Sequence, residues 1–127
     1  MQDYSFDTKT MAIWDQADAL KRVMGKEDIL KIVVSAFLQD VPIYLDNLND
    51  AFASQNSEEV IKNTHTLKGV AGNVSAFAMA EIAKNIEQAY KDNATAEELA
   101  RNIEILNDVV TKSCEVLSNW QENQISG

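Results

Sequence analysis

The sequence contains very few of the residues around which metal and nucleophilic sites are usually built, with one cysteine and one histidine in 127 residues. A single cysteine, Cys114, cannot form an internal disulfide, so nothing indicates an oxidising compartment. A single histidine excludes most zinc sites and the di-iron bundles, which need Glu-x-x-His on two helices. We therefore expect no metal site and no intrinsic cofactor. A Cys–His nucleophilic pair is not favoured, because Cys114 lies near an inward stripe and His65 faces outward.

The sequence also lacks a net positive charge, long apolar runs and targeting signals. The net charge of −9 argues against nucleic acid and anionic membranes as partners, because lysine and arginine drive both kinds of binding. The richest apolar run, residues 29–38, is interrupted by Lys31 and is too short to cross a bilayer, and the N-terminus has no basic-then-apolar signal. No glycine-rich phosphate loop follows a strand, so we expect no ATP binding. A cytoplasmic protein is predicted.

Helical periodicity fills most of the chain, which has only four glycines and one proline. This pattern predicts an all-α protein, an antiparallel four-helix bundle with short loops and a short additional N-terminal helix. We assign residues 1–12 to an N-terminal extension, residues 13–123 to a single domain and residues 124–127 to a fraying tail.

Capping residues and helix breakers predict the ends of the helices. Asp15 caps the short N-terminal helix, which stops at Gly25. Ser57 and Ser75 are expected to cap the two helices that follow them, and Thr95 with Glu98 forms a capping box at the start of the last helix.

The second helix is expected to run from about Lys26 to Asp40, just before the only proline. Pro42 is tolerated best in a first turn, so we expect a break or kink at Asp40–Val41 and a third segment that runs to Ala53. The residues expected to face inward before the break are Ile29, Ile32, Val33, Ala36 and Phe37. Those expected to face inward after it are Val41, Leu45, Leu48 and Phe52.

Residues 58–76 are predicted to form an amphipathic helix with an exposed histidine, and the rest of the chain is organised around it. Their seam has alternating spacings of four and three and consists of Val60, Thr64, Leu67, Ala71 and Val74. At about 100° per residue, His65 projects about 140° from the centre of this seam and faces water. Gly69 and Gly72 lie one and two turns further on, although glycine inside a helix costs about 1 kcal/mol relative to alanine. Access for a bulky partner explains them most simply, and tight helix–helix contact is the alternative.

An exposed imidazole beside bare backbone can act as a nucleophile and carrier. The neutral ring offers a lone-pair nitrogen to an electrophile such as a phosphoryl group. Lys68, one turn on, can offset the negative charge of that group, and Lys62, one turn back, can do so more weakly. Periodicity alone does not separate this interpretation from an ordinary surface histidine beside a helix crossing.

The string HTLKGVAGNV, residues 65–74, resembles the H-x-L-K-G motif of histidine-containing phosphotransfer (HPt) domains. Residues 37–48 resemble the F-x-x-D-x-P-x-x-L-x-x-L segment of the same family. Further similar positions are Trp14, Asp15, Leu20, Gly25, Ala76, Met79, Ile82, Ile86, Glu87 and Ala89. The resemblance extends over residues 13–90. Thr64, Val70 and Ser75 depart from the commonest pattern, the first two toward the core and the last in a turn.

The resemblance implies that His65 accepts a phosphoryl group from an aspartyl-phosphate on a response-regulator receiver domain and passes it to another receiver aspartate. A hybrid sensor histidine kinase is the implied source. Such a domain is a carrier and not an enzyme, because the receiver supplies the aspartate, the magnesium ion and most catalytic groups. Lys68 and Gly69 carry over as charge-balancing and clearance residues. A monomer is expected.

Two other functions stay open from the residues alone. The first is a helical module that docks receiver domains without phosphoryl transfer. The second, an enzyme with His65 as a general base, is disfavoured because no second catalytic group is evident. The charge also has two interpretations: the net −9 serves solubility, or Lys62, Lys68 and Lys84 form a basic island that steers the carboxylate-rich receiver site.

Overall fold

The computed structural model describes residues 12–126 and contains five helices joined by short turns. They are α1 (Gln16–Arg22), α2 (Glu27–Ala53), α3 (Ser57–Asn73), α4 (Phe77–Lys91) and α5 (Ala96–Ser126). Helix α3 packs between α2 and α4, α5 closes the bundle against both of these, and α1 packs on α2. This arrangement confirms the predicted all-α bundle with an additional short helix. The predicted extension lies outside the described residues except for Ala12, and α5 continues into the segment predicted as a tail.

The core runs along the bundle and is mostly aliphatic, and Phe37, Met79 and Trp120 are its buried residues of other kinds. Its largest side chains, each less than 2% exposed, are Leu30, Val34, Phe37, Val41, Leu48, Val60, Leu67, Met79, Ile82, Ile86, Leu106 and Leu117. The seam predicted for α3 is confirmed, since all five of its residues are buried. On α5 the buried apolar positions include Ile103, Leu106, Val110, Leu117 and Trp120. Ser113 is buried among them, and its hydroxyl donates to the carbonyl of Val109 at 2.7 Å.

The predicted break at Asp40–Val41 is wrong. Helix α2 is continuous for 27 residues and Pro42 lies inside it, with an exposed ring. A proline in a helix interior costs about 3 kcal/mol because it removes a backbone hydrogen bond and crowds the preceding turn. Burial of Phe37 and Val41 before the proline and of Leu48 after it, on one continuous face, outweighs that cost.

Continuity of α2 also corrects the face predicted for its first half. Ile29 and Ile32 were expected in the core but are 41% and 69% exposed, and Ala36 is exposed too. Leu30 and Val34 are buried instead, Phe37 is buried as predicted, and Val33 is half-buried against the core. The inward positions of one continuous helix must stay in phase along its length. Leu30, Val34 and Phe37 are in phase with Val41 and Leu48, whereas Ile29, Ile32 and Ala36 are not.

Two predicted caps are confirmed and two are wrong. The carboxylate of Asp15 accepts from the Asp18 backbone N–H at 3.0 Å, and Thr95 and Glu98 exchange two hydrogen bonds of 3.2 Å. Helix α3 is capped by Asn56 and not by Ser57, because the Asn56 side chain accepts from the backbone N–H of the third helical residue at 3.2 Å. The residue preceding α4 is Ala76, which has no side-chain cap, and Ser75 has another role described below.

Candidate functional site

Helix α3 presents His65 to solvent because its opposite face is held in the core. Val60, Thr64 and Leu67 are fully buried, whereas the His65 side chain is 70% exposed. This orientation confirms the prediction made from the seam. Thr64, which departs from the family pattern, fits the core because its hydroxyl donates to the Val60 carbonyl at 2.7 Å. The substitution therefore alters packing beneath the histidine and leaves the exposed face unchanged.

Glu87 on α4 lies within ion-pair distance of the imidazole. Its Oε1 lies 3.4 Å from Nδ1 of His65 and 2.9 Å from Nζ of Lys68. The Glu87 side chain is 13% exposed and that of Lys68 is 35% exposed, so the pair is partly shielded from water. Among the described residues Oε1 has no hydrogen bond of good geometry, so these two charge contacts are what compensate its burial. The carboxylate lies beside Nδ1 of the ring, so Nε2 is the ring nitrogen left for a reaction with another molecule.

The two glycines leave a clear approach to this face. Among the described residues, a Cβ added at Gly69 or at Gly72 would meet no atom within 4 Å, so packing among residues 12–126 requires neither glycine. This excludes the alternative that they mark a tight contact between helices. Both lie within α3, where glycine is unfavourable. Their open surroundings fit the interpretation that they provide space for another molecule.

The three lysines predicted near the site differ in their contacts. Lys68 is drawn into the contact with Glu87. Lys62 on α3 and Lys84 on α4 are exposed, and neither is in an ion pair within the described part of the chain. Lys68 is thus the cation fixed next to the imidazole, while Lys62 and Lys84 contribute charge to the surrounding surface.

The C-terminal end of α3 is anchored by the segment that precedes and forms α1. The indole N–H of Trp14 donates to the Val74 carbonyl at 2.7 Å, and the Asp15 backbone N–H donates to the Ser75 carbonyl at 3.0 Å. Ser75 is buried with φ 64°, a left-handed conformation that favours glycine. Its hydroxyl donates to Asp18 Oδ2 at 2.6 Å and accepts from Arg22 Nε at 3.1 Å. The predicted capping role of Ser75 is replaced by this link between α1 and the α3–α4 turn.

The link alters the titration of Asp18. The hydroxyl of Ser75 and the guanidinium of Arg22 both donate to this carboxylate and lower the pKa of Asp18 below its ordinary value of 3.8. The ionised form is therefore the one that the folded protein stabilises.

Other kinds of site find little support in the described residues. Burial raises the pKa of the Cys114 thiol, which disfavours the thiolate needed by a Cys–His nucleophile. Across residues 12–126 no three His, Cys, Asp or Glu side chains gather closely enough to hold a metal ion. None of the described helices combines the length and the apolar character that spanning a bilayer requires.

Sequence reasoning identified His65 and Lys68 but did not assign a role to Glu87. The signal that marks it is an acidic residue one position after the buried Ile86, on a helix whose inner face is otherwise apolar. An acid at the margin of such a face is common on helices, so the sequence cannot tell that this one meets a lysine from the preceding helix.

The family is shown by comparison with known proteins. A model of the Hpt domain family matches residues 33–120, and the chain belongs to this family. The match includes most of α5, beyond the region in which the motifs were similar.

Among curated proteins, a gliding motility regulatory protein from Myxococcus xanthus is 29% identical over 109 residues, which is 84% of this chain and 13% of that protein. The chain thus spans only a small part of the length of this relative.

Two solved structures share the fold at 17% sequence identity, each with a TM-score of 0.77 over 87% of this chain. They are the HPT domain of a sensor hybrid histidine kinase from Shewanella and the histidine-containing phosphotransfer protein B from Pseudomonas aeruginosa PAO1, of which 95% and 96% are covered.

Proposed function

We propose that this protein is a phosphorelay intermediate that carries a phosphoryl group on His65. The observation that carries the proposal is the 70% exposed imidazole beside two glycines that packing among the described residues does not require. Membership of the Hpt domain family supports it. The donor and acceptor are aspartates of response-regulator receiver domains, and a hybrid sensor histidine kinase starts the relay.

The transfer is a substitution at phosphorus. Nε2 of His65 attacks the phosphorus of a receiver aspartyl-phosphate, the nitrogen–phosphorus bond forms, and the bond to the aspartate oxygen breaks so that the aspartate leaves as a carboxylate. The imidazole gains positive charge as its lone pair is shared. The Glu87 carboxylate, 3.4 Å from Nδ1, is placed to stabilise that charge. The same steps in reverse deliver the group to a second receiver.

Lys68 has a different role in this mechanism. Its ammonium, 2.9 Å from the Glu87 carboxylate, lies one helical turn from His65. A phosphoryl group on Nε2 brings negative charge to this side of α3, and Lys68 offsets it. Lys62, exposed on the preceding turn, contributes more weakly. The receiver supplies the magnesium ion and the remaining catalytic groups, so this protein acts as a carrier and not as an enzyme. We place it in the cytoplasm, as a monomer, with its receivers.

Phosphoryl transfer from labelled receivers tests the proposal. Receiver domains from the same organism are phosphorylated with labelled phosphate, purified and incubated with this protein. We expect the label to move to this protein in a form that is labile in acid and stable in base, as a phosphoramidate is. His65→Gln is expected to keep the helix content and to lose all labelling.

The same experiment separates transfer from docking alone. A module that only docks receivers would bind them in a titration and show no label, and the His65→Gln variant would bind equally well. Labelling of the variant at the wild-type level would overturn the assignment of His65.

A further inference from the structure

The Lys68 ammonium beside His65 is already paired with a carboxylate. Its Nζ lies 2.9 Å from Oε1 of Glu87, so the positive charge of one side chain cancels the negative charge of the other. A phosphoryl group on a side chain carries about −1.5 to −2 charges at pH 7. Lys68 by itself has to balance both this group and the Glu87 carboxylate. A phosphoryl group on His65 therefore calls for positive charge beyond that of Lys68.

Helix α4 carries an exposed lysine about one turn to either side of Glu87. Lys84 precedes Glu87 by three residues and Lys91 follows it by four, so their Cα atoms lie about 4.5 Å and 6 Å from it along the axis. At about 100° per residue, both lysines are rotated in the same sense from Glu87, by about 60° and 40°. The positions rotated in the opposite sense, Ala83 and Tyr90, are buried and half-buried. Both lysines thus lie on the solvent side of Glu87.

Glu87 also shows where this part of α4 lies relative to the histidine. Its Oε1 is 3.4 Å from Nδ1 of His65, so the imidazole packs against the stretch of α4 that the two lysines bracket. The ring is 70% exposed, and a group bonded to it projects into the solvent region that Lys84 and Lys91 border. Each ammonium is carried on a flexible four-carbon stem, which lets it move toward an anion that arrives there.

Neither lysine of α4 has an anionic partner of its own. Lys84 and Lys91 are in no ion pair within the part of the chain that the structure describes. Lys91 lies in the last turn of α4, where the helix dipole favours a cation, but Lys84 lies mid-helix and lacks that explanation. Lys62 is exposed as well, but it is rotated about 60° from His65 in the sense opposite to Lys68, and therefore away from α4.

We propose that Lys84 and Lys91 of α4 bind the phosphoryl group carried on His65. This inference rests on the proposed function and adds to it two residues that lie outside the motif helix. Lys68 keeps its contact with Glu87, and the two lysines of α4 supply the further positive charge that the phosphoryl group requires. The contact is between charges, so arginine at either position should serve as well as lysine.

Phosphorus NMR spectroscopy of the phosphorylated protein tests the proposal with no receiver present. The protein is phosphorylated by the receiver that labels it fastest, separated from that receiver and titrated from alkaline to mildly acidic pH. We expect Lys84→Gln and Lys91→Gln each to raise the second pKa of the phosphoryl group by about 0.5, because each removes a positive charge about 5 Å away. Lys84→Arg and Lys91→Arg should titrate like wild type.

The equilibrium of transfer gives a second measurement. With the same receiver, the ratio of label on this protein to label on the receiver should fall about threefold in each glutamine variant, the counterpart of a pKa change of about 0.5. Circular dichroism and thermal unfolding confirm that each variant is folded before the comparison is made.

Lys26→Gln is the matched control. Lys26 is exposed and in no ion pair among the described residues, and its replacement changes the net charge from −9 to −10, as the α4 variants do. It directly precedes α2, about 28 Å from the level of His65 along the bundle. We expect this variant to titrate and to take up label like wild type.

The outcomes distinguish this proposal from the proposed function. If wild-type protein is phosphorylated and both glutamine variants titrate like it, binding by α4 is overturned while the relay stands. If Lys26→Gln raises the phosphoryl pKa equally, only net charge matters and the proposal fails. If the α4 variants change transfer but not the titration, these lysines contact the receiver instead, and the proposal fails again. If no receiver labels the protein, the proposed function itself fails.

Discussion

Glu87 on α4 binds Lys68 on α3, with 2.9 Å between the carboxylate Oε1 and the ammonium Nζ. The same oxygen lies 3.4 Å from Nδ1 of His65. One carboxylate thus contacts both the lysine and the imidazole, and it does so from a different helix. The exposed face of α3 depends on α4 for its charge arrangement as well as for its packing.

Replacing Glu87 by glutamine tests the electrostatic part of this arrangement. The change keeps the size of the side chain and removes its charge, so the positive charge that develops on the imidazole during transfer loses its counter-ion. We expect kcat for phosphoryl transfer to fall by about tenfold, with little change in KM. Rapid-quench measurements with a labelled receiver give both constants.

The control for this variant is Glu81→Gln, which removes a half-buried carboxylate from the same helix. It should transfer at the wild-type rate. If Glu87→Gln raises KM and leaves kcat unchanged, Glu87 serves docking and not the transfer step.

Stability and activity should respond in opposite directions at Gly69. The position is helical and a Cβ there meets open space, so Gly69→Ala is expected to raise the free energy of unfolding by about 1 kcal/mol. Gly69→Leu should also remain folded but should slow transfer, because its side chain occupies the approach to the imidazole. Urea unfolding and transfer rates measure the two effects.

Gly25→Ala provides the contrast. Gly25 has φ +75°, where a Cβ is strained, so this variant should be less stable than wild type. Wild-type transfer by Gly69→Leu would remove the argument that the glycine provides access.

The link between Asp18 and Ser75 should make stability depend on pH in the acidic range. The folded-state pKa of Asp18 is lowered by donors from Ser75 and Arg22. A lowered pKa contributes stability that is present above the ordinary aspartate value and is lost as the pH falls through the folded value. We therefore expect Asp18→Asn to be less stable than wild type at pH 7. The difference should narrow as the pH falls below 3.8, the ordinary value.

Ser75→Ala should behave in the same direction, because it keeps the left-handed backbone and removes the hydroxyl. Asp46→Asn, a change at an exposed aspartate outside this link, should leave the pH profile of thermal unfolding unchanged. A gap between wild type and Asp18→Asn that is constant from pH 7 to pH 3 would contradict the assignment.

Adjacent faces of α2 should respond very differently to substitution. Leu30 is 1% exposed and Ile32 is 69% exposed. Leu30→Ala is expected to lower the free energy of unfolding by about 2–5 kcal/mol, and Ile32→Ser to change it by less than about 0.5 kcal/mol. Chemical denaturation of the two variants checks which face of α2 is buried. A larger loss of stability from Ile32→Ser than from Leu30→Ala would instead support the face predicted from the sequence.

Local signals were sufficient wherever one helix could be read by itself. The seam of α3, the outward direction of His65, the Asp15 cap and the Thr95–Glu98 box all follow from spacing along a single element. The predictions that were wrong concern choices between competing signals. Pro42 favours a helix start by its local chemistry, but a helix that continues through it buries Phe37 and Val41 together with Leu48, and that burial is a property of the whole bundle.

The face of α2 shows the same limit. Ile29 and Ile32 are as apolar as Leu30 and Val34, so hydrophobicity alone cannot decide which pair is buried. The phase imposed by Val41 and Leu48 decides it, and that phase applies only if the helix is unbroken. An error about one proline therefore became an error about which residues face solvent.

The amino-acid sequence by itself determined the all-helical class, the seam of α3 and the exposed position of His65, because each depends on a period of 3.6 residues within one segment. The tertiary structure alone decided that Glu87 meets Lys68 and His65, that Ser75 links α3 to α1, and that the isoleucines of α2 are exposed. These contacts join residues from different helices, and their geometry exists only once the helices have packed.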